Sequence, residues 1–305
     1  MTDGATTWLD GGVATELQRT GLPMRAPWWT TLALNTEARR DGLRRVHERY
    51  LAAGADVITA NSFRCNRRAL ERIGLDTAGL TWMVHAAVGV ARAARGAARA
   101  RVAGSMAPVE DCYRPDLVPP DAQLRDEHRW LATELVRAGV DLVLVETMNT
   151  AREARIALEE VQAAGGRAWV SFVCGDGARL LSGEPLAAAA AAAERDGAEA
   201  VLVNCSAPSD AERALAELRD ACSGPVGVSP GIEERGAPDR WTHVDRYVPP
   251  ALSPDEFADL LHGWRDKFAP EILGGCCGTT PDHLAAATTR SPGRPYPADD
   301  ARRRR

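Results

Sequence analysis

The sequence predicts a single α/β domain of the (β/α)8, TIM-type barrel class. Three observations lead there. Eight short apolar runs alternate with longer helix-forming stretches, the rhythm of a parallel sheet closed into a barrel. The runs are rich in valine and do not alternate with polar residues, as strands buried on both faces require. No G-x-G-x-x-G follows the first run, so the usual mark of a doubly wound nucleotide-binding sheet is missing.

In chain order, strand 7–10 breaks at Gly11-Gly12 and leads into a short helix over 14–19. Helix 37–53 follows and ends at Ala53-Gly54, where glycine suits a helix C-terminus, and strand 55–60 comes next. Helix 80–95 precedes strand 101–105. Helix 123–138 ends in Ala138-Gly139 before strand 141–146, and helix 151–164 precedes strand 167–174. Helix 185–196 holds the low-complexity run 187–193, which reads as a face packed on the barrel, and ends at Asp196-Gly197 before strand 200–205. Helix 211–221 leads to strand 225–229, and helix 254–267 to strand 271–275. Residues 1–290 therefore form the barrel. The Pro-, Asp- and Arg-rich segment 291–305 is expected to be a disordered tail, its final Arg302–Arg305 a solvated terminus.

At 305 residues and 32.7 kDa the chain can bury one large core. Its net charge of −5 offers no general basic surface for nucleic acid. It has no apolar run long enough for a membrane span and no signal-peptide layout, so a cytoplasmic location is expected. In that compartment the seven cysteines read as thiols or ligands rather than disulfides. Lys267 is the sole lysine, which disfavours Schiff-base chemistry.

The polar residues at strand ends carry the chemistry, because barrel active sites form there. Cys276-Cys277 lies between glycines in Gly274-Gly275-Cys276-Cys277-Gly278, and Cys205 ends the sixth strand. Adjacent cysteines do not readily bond to each other, but glycine freedom lets both aim at one ion. Three thiolates suit zinc and leave its fourth position open. The candidate metal ligands are thus Cys205, Cys276 and Cys277, with Zn2+ at the C-terminal mouth of the strands. Cys65, Cys112, Cys174 and Cys222 read as small buried residues, and the histidines show no ligand spacing. Asp10 either caps the first helix or faces the pocket, and the two readings are compatible. Glu146 ends the apolar run 142–145, where a carboxylate is costly unless paired or wet, and a ligand ammonium would satisfy it. Asn61 and Ser62 follow the second strand at the same mouth. Trp28-Trp29 suits packing better than an onium cage.

These residues closely resemble the homocysteine S-methyltransferase family, from about Trp8 to Ala287. The motifs that carry the resemblance are Leu9-Asp10-Gly11-Gly12, Ala60-Asn61-Ser62-Phe63, Val145-Glu146-Thr147, Val203-Asn204-Cys205 and Gly274–Pro281. The family includes S-methylmethionine-dependent enzymes, betaine–homocysteine methyltransferase and the homocysteine module of cobalamin-dependent methionine synthase. The resemblance implies a zinc-bearing barrel with Cys205, Cys276 and Cys277 as ligands. It also implies Glu146 on the amino group of homocysteine, and Asp10, Gly11 and Gly12 lining the amino-acid site. The partners it implies are a small-molecule thiol acceptor and a methyl donor. With the barrel taking nearly all of the chain, a free sulfonium is the expected donor, either S-methylmethionine or S-adenosylmethionine. Two positions depart from the family pattern: Val228-Ser229-Pro230-Gly231 followed by Glu233-Glu234, and Thr59. They keep open a different thiol or selenol acceptor. A barrel subunit served by a separate corrinoid methyl donor is a further alternative.

Overall fold

The computed structural model describes residues 6–24, 26–233 and 247–289. The expectations for Glu234, His243 and the tail 291–305 lie outside the described residues. Eight parallel strands follow the chain around one sheet: β1 (Thr7–Trp8), β2 (Val57–Ala60), β3 (Arg101–Met106), β4 (Leu142–Met148), β5 (Ala168–Phe172), β6 (Ala200–Asn204), β7 (Val226–Ser229) and β8 (Ile272–Leu273). A parallel bridge between Leu9 and Val57, with the Asp10 N–H donating to the Val57 carbonyl at 3.0 Å, joins β1 to β2 and closes the barrel. All eight predicted strands are present.

The uninterrupted apolar runs have a direct cause. Leu142, Leu144, Ala200, Leu202, Val57, Ala103, Trp169 and Ile272 pack together inside the barrel. Their neighbours in sequence, among them Val143, Val145, Val201 and Val203, face the surrounding helices. Both faces of each strand are therefore buried. Continuing the inward parity upward reaches Thr59, Ser105, Glu146, Ser171 and Asn204. A polar layer thus sits above the apolar one, at the C-terminal mouth.

The outer layer comprises α1 (Val13–Arg19), α2 (Glu37–Ala52), α3 (Arg67–Glu71), α4 (Thr77–Arg95), α5 (Asp121–Ala138), α6 (Ala151–Ala163), α7 (Leu186–Arg195), α8 (Pro208–Ala221), α9 (Pro254–Phe268) and α10 (Pro281–Thr289). Caps set several starts earlier than composition suggested. Asp76 accepts from the Gly79 N–H at 2.9 Å and begins α4 at Thr77. Pro208 occupies the first turn of α8, where its missing N–H costs nothing. Two short helices escaped the sequence reading: α3, capped by Asn66, and α10, which follows the cysteine loop. The predicted fifth strand is also shorter than expected. It ends at Phe172, and Cys174–Gly175 pairs antiparallel with Arg179–Leu180 instead. No described helix is long and apolar enough to cross a membrane.

Candidate metal centre and substrate mouth

Cys205 leaves β6 in a left-handed backbone conformation, φ 53°, which turns its side chain away from the strand's regular alternation. Cys276 and Cys277 arrive from the loop after β8. That loop needs its glycines. A Cβ on Gly275 would lie 2.3 Å from the Thr279 hydroxyl, and Gly278 has φ 85° with the Glu233 backbone nitrogen 2.7 Å from where a Cβ would be. The three sulfurs lie within 4.8 Å of one another, with Cys205 Sγ and Cys277 Sγ 3.8 Å apart. Thiolates around one tetrahedral ion sit about 3.8 Å from each other, given metal–sulfur bonds near 2.3 Å. The donor set therefore fits a metal ion.

The charge balance points the same way. Hydrogen bonds with Cys205 and Cys277, and then burial, push the Cys276 thiol well above its ordinary value. Three crowded thiols cannot all ionise unless a cation joins them.

Backbone bonds hold the trio from the loop after β7. Cys205 N–H donates to the Ser229 carbonyl (3.2 Å), Cys276 N–H to Pro230 (3.0 Å), and Ile232 N–H to the Cys277 carbonyl (2.8 Å). Thr279 clamps the other side: its hydroxyl donates to the Cys276 carbonyl at 2.6 Å and accepts from Gly12 N–H at 3.0 Å. The Tyr50 hydroxyl donates to the Thr279 carbonyl at 3.0 Å. Thr15 accepts from Gly278 N–H (2.9 Å) and donates to Glu233 (3.1 Å). The segment 228–233, read from sequence as a departure near the pocket, is a backbone scaffold for the cysteines.

Glu146 stands in the polar layer beside them. Ser105 donates to one carboxylate oxygen and Asn204 Nδ2 to the other at 3.3 Å. No cation among the described residues pairs with it. Burial, reinforced by the charges of Asp10 and Cys277, pushes its carboxyl up to about 7. Asp10 is likewise pushed up to about 7 by burial, although the Thr59 N–H (2.7 Å) and hydroxyl (2.8 Å) both donate to it. Asp10 does not cap α1, whose N-cap is Gly12 without a side-chain bond. Thr59 is its partner across the barrel seam.

The other sequence candidates are placed as follows. Gly11 has no room for a side chain, since a Cβ would meet the Thr279 hydroxyl at 2.5 Å and the Tyr50 hydroxyl at 2.9 Å. Ser62 is fully buried. Its hydroxyl donates to the Ser105 carbonyl (2.8 Å) and accepts from Ser105 N–H (2.9 Å), so it stitches β2 to β3 instead of facing the mouth. Asn61 Nδ2 donates to the Thr30 carbonyl at 2.8 Å. Trp28 packs against the core, as expected. Cys65, Cys112, Cys174 and Cys222 are buried and form no disulfide.

One residue in the quoted motifs proves more central than its sequence context suggested. Asn204 Oδ1 accepts from Thr147 N–H (3.0 Å) and the Ser171 hydroxyl (2.8 Å). Its Nδ2 also faces the Thr147 hydroxyl (2.8 Å) and Cys276 Sγ (4.0 Å). It thereby joins the carboxylate of Glu146 to the thiol cluster. Inward strand parity marks Ser105, Ser171 and Asn204 in the sequence; Thr279 is marked only as part of the motif Gly274–Pro281, and nothing there marks Tyr50.

Fold and site together define an α/β barrel that gathers three thiols able to hold a metal ion, Cys205, Cys276 and Cys277, at its C-terminal mouth. The profile of the homocysteine S-methyltransferase family matches residues 7–290, and the chain belongs to that family. Among its relatives is homocysteine S-methyltransferase 4 of Zea mays, 29% identical over 93% of this chain and 88% of that protein. Another is selenocysteine Se-methyltransferase of Brassica oleracea var. italica, 28% identical over 92% and 88%. The metallated form of the homocysteine methyltransferase MmuM from Escherichia coli superposes with TM-score 0.81 at 28% identity, covering 95% of this chain and 97% of that one.

Proposed function

We propose that this enzyme transfers a methyl group from a sulfonium donor, S-methylmethionine or S-adenosylmethionine, to the sulfur of homocysteine, giving methionine. The observation that carries the reading is the convergence of Cys205, Cys276 and Cys277 beside Glu146, which no cation among the described residues pairs, in a chain of this family. Cys205, Cys276 and Cys277 would hold zinc, which when bound supplies a substrate thiolate at neutral pH.

Glu146 and Asp10 then receive the acceptor's ammonium group. An ammonium at hydrogen-bond distance returns Glu146 to its ionised form and relieves its burial cost. Ser105 and Asn204 fix the carboxylate so that the amino-acid end enters in one orientation. The accumulated negative charge of thiols and carboxylates attracts a cationic donor, which supports a sulfonium over a neutral methyl source. The acceptor sulfur attacks the methyl carbon in line. The new S–CH3 bond forms as the sulfonium C–S bond breaks, and the donor leaves as a neutral thioether with the electron pair. No proton moves in this step, so no general base is needed beside the sulfur.

Mass-spectrometric detection of methionine from homocysteine and S-methylmethionine, with zinc-loaded protein under reducing conditions, tests the reading. Absence of product from protein that holds zinc, with S-methylmethionine and again with S-adenosylmethionine, would overturn it. A second reading, a selenol acceptor, draws on the similarity to the Brassica Se-methyltransferase. Competition between homocysteine and selenocysteine in the same assay separates the two.

A further inference from the structure

The loop after β2 carries a cation that the chemistry above leaves unused. Phe63 and Arg64 follow Asn61 and Ser62 at the C-terminal end of β2, on the barrel face where the thiols converge. The Arg64 guanidinium carbon lies 5.2 Å from the centroid of the Phe63 ring and 5.7 Å from that of Trp29. Both distances are within cation–π range. Trp29 reaches Arg64 from the segment after α1 with a left-handed backbone, φ 47°. A tryptophan holds that conformation only when its surroundings impose it, and such residues gather at ligand clamps. The carbonyl of the next residue, Thr30, accepts from Asn61 Nδ2 at 2.8 Å.

Arg64 differs from its neighbours in what it pairs with. Arg67 and Arg68 are tied to Asp126 and Glu110 at 2.6 and 2.7 Å. No carboxylate among the described residues pairs with Arg64, whose side chain is half-buried and open to solvent. A guanidinium braced between two rings, its five N–H donors unspent on carboxylates, is arranged to take a carboxylate in bidentate fashion.

We propose that Arg64 binds the carboxylate of the methyl donor, with Trp29 and Phe63 bracing its guanidinium. This rests on the reading of the enzyme as a sulfonium-dependent methyltransferase. The acceptor's carboxylate is the other source of the same chemistry. The donor is favoured because the acceptor's amino-acid end belongs with Glu146, whose charged neighbours are Asp10 and Cys277 rather than Arg64. A donor whose methyl carbon meets the thiols needs its carboxylate held farther out, and Arg64 follows β2 on the same C-terminal face of the barrel.

The test compares S-methylmethionine with trimethylsulfonium, which lacks a carboxylate, in wild type, Arg64→Gln and Arg64→Lys. Losing a charge-assisted pair should raise the KM for S-methylmethionine tenfold or more in Arg64→Gln, with kcat changed less than threefold. Arg64→Lys should fall between, since it keeps the charge without the fork. The loss with trimethylsulfonium should be at least tenfold smaller. Equal losses with both donors would mean a purely structural arginine and would overturn the proposal. A rise confined to the KM for homocysteine would assign Arg64 to the acceptor and overturn it as well. Should wild-type protein use neither sulfonium, the catalytic reading falls on its own. Calorimetric titration with S-methylmethionine then decides for Arg64. Tenfold weaker binding to Arg64→Gln supports the proposal; equal binding, or none to wild type, overturns it.

Discussion

At the scale of single residues, the mouth depends on a few side chains that do two things at once. Asn204 is the clearest. It satisfies the buried backbone of Thr147, which has φ 59°, while orienting Glu146 and approaching Cys276. Asn204→Ala should destabilise the protein by about 1–3 kcal/mol through the unpaired groups it leaves, readable in urea unfolding. It should also lower kcat/KM for methyl transfer by more than tenfold. Glu146 makes a pH prediction. Its carboxyl is raised from 4.5 to about 7, so between these values the folded chain binds a proton that the unfolded chain releases. The stability linked to that proton is complete below the unfolded value and is lost as pH rises through about 7. Asp10, raised from 3.8 to about 7, acts in the same direction. Thermal melts of metal-free, ligand-free protein should therefore decline from pH 5 toward pH 8. The decline should be shallower in Glu146→Gln, and an unchanged slope would remove this account of Glu146.

At the scale of elements, the cysteine loop is rigid because three segments grip its backbone. The β7 loop contributes carbonyls and an N–H, the start of α1 contributes Thr15, and Thr279 returns from the loop itself. Thr279→Val preserves shape but removes the bonds to the Cys276 carbonyl and Gly12 N–H. Metal affinity, measured by chelator competition, should fall about 10-fold or more, the usual consequence of losing groups that orient ligands. The strands were legible in sequence because buried parallel strands are apolar on both faces. The mouth layer was partly legible, since Glu146 and Asn204 continue the inward parity of Leu144 and Leu202. Ser62, singled out in sequence as a polar residue at a strand end, hydrogen-bonds through its hydroxyl to the Ser105 backbone of the next strand, a contact no sequence pattern marks. Helices α3 and α10 were missed because each is short, and α3 is marked locally by little beyond its Asn66 cap.

At the scale of the whole molecule, the barrel is expected to fold without metal. Its closure rests on strand pairing and on the apolar interior layer, and the cysteine loop is held by protein bonds. Removal of metal with a chelator should leave the far-UV circular dichroism intact, abolish methyl transfer, and allow recovery on adding zinc. The melting temperature should drop, because a ligand that binds only the folded state stabilises it. Cys277→Ser should likewise abolish transfer and lower zinc content measured by elemental analysis while the barrel stays folded. Full activity in that variant would refute the thiol-centre mechanism.

The sequence by itself determined the barrel class, the order of its strands and the three cysteines, because periodicity and side-chain chemistry are local properties that survive in a string of letters. Only the tertiary structure decided which polar groups share a partner. Asp10 meets Thr59, Asn204 meets Glu146, and Arg64 lies between two rings while its neighbouring arginines are paired. Asp10–Thr59, Asn204–Glu146 and Arg64–Trp29 join residues far apart in the chain, and it is the folding of the strands into one barrel that brings them together.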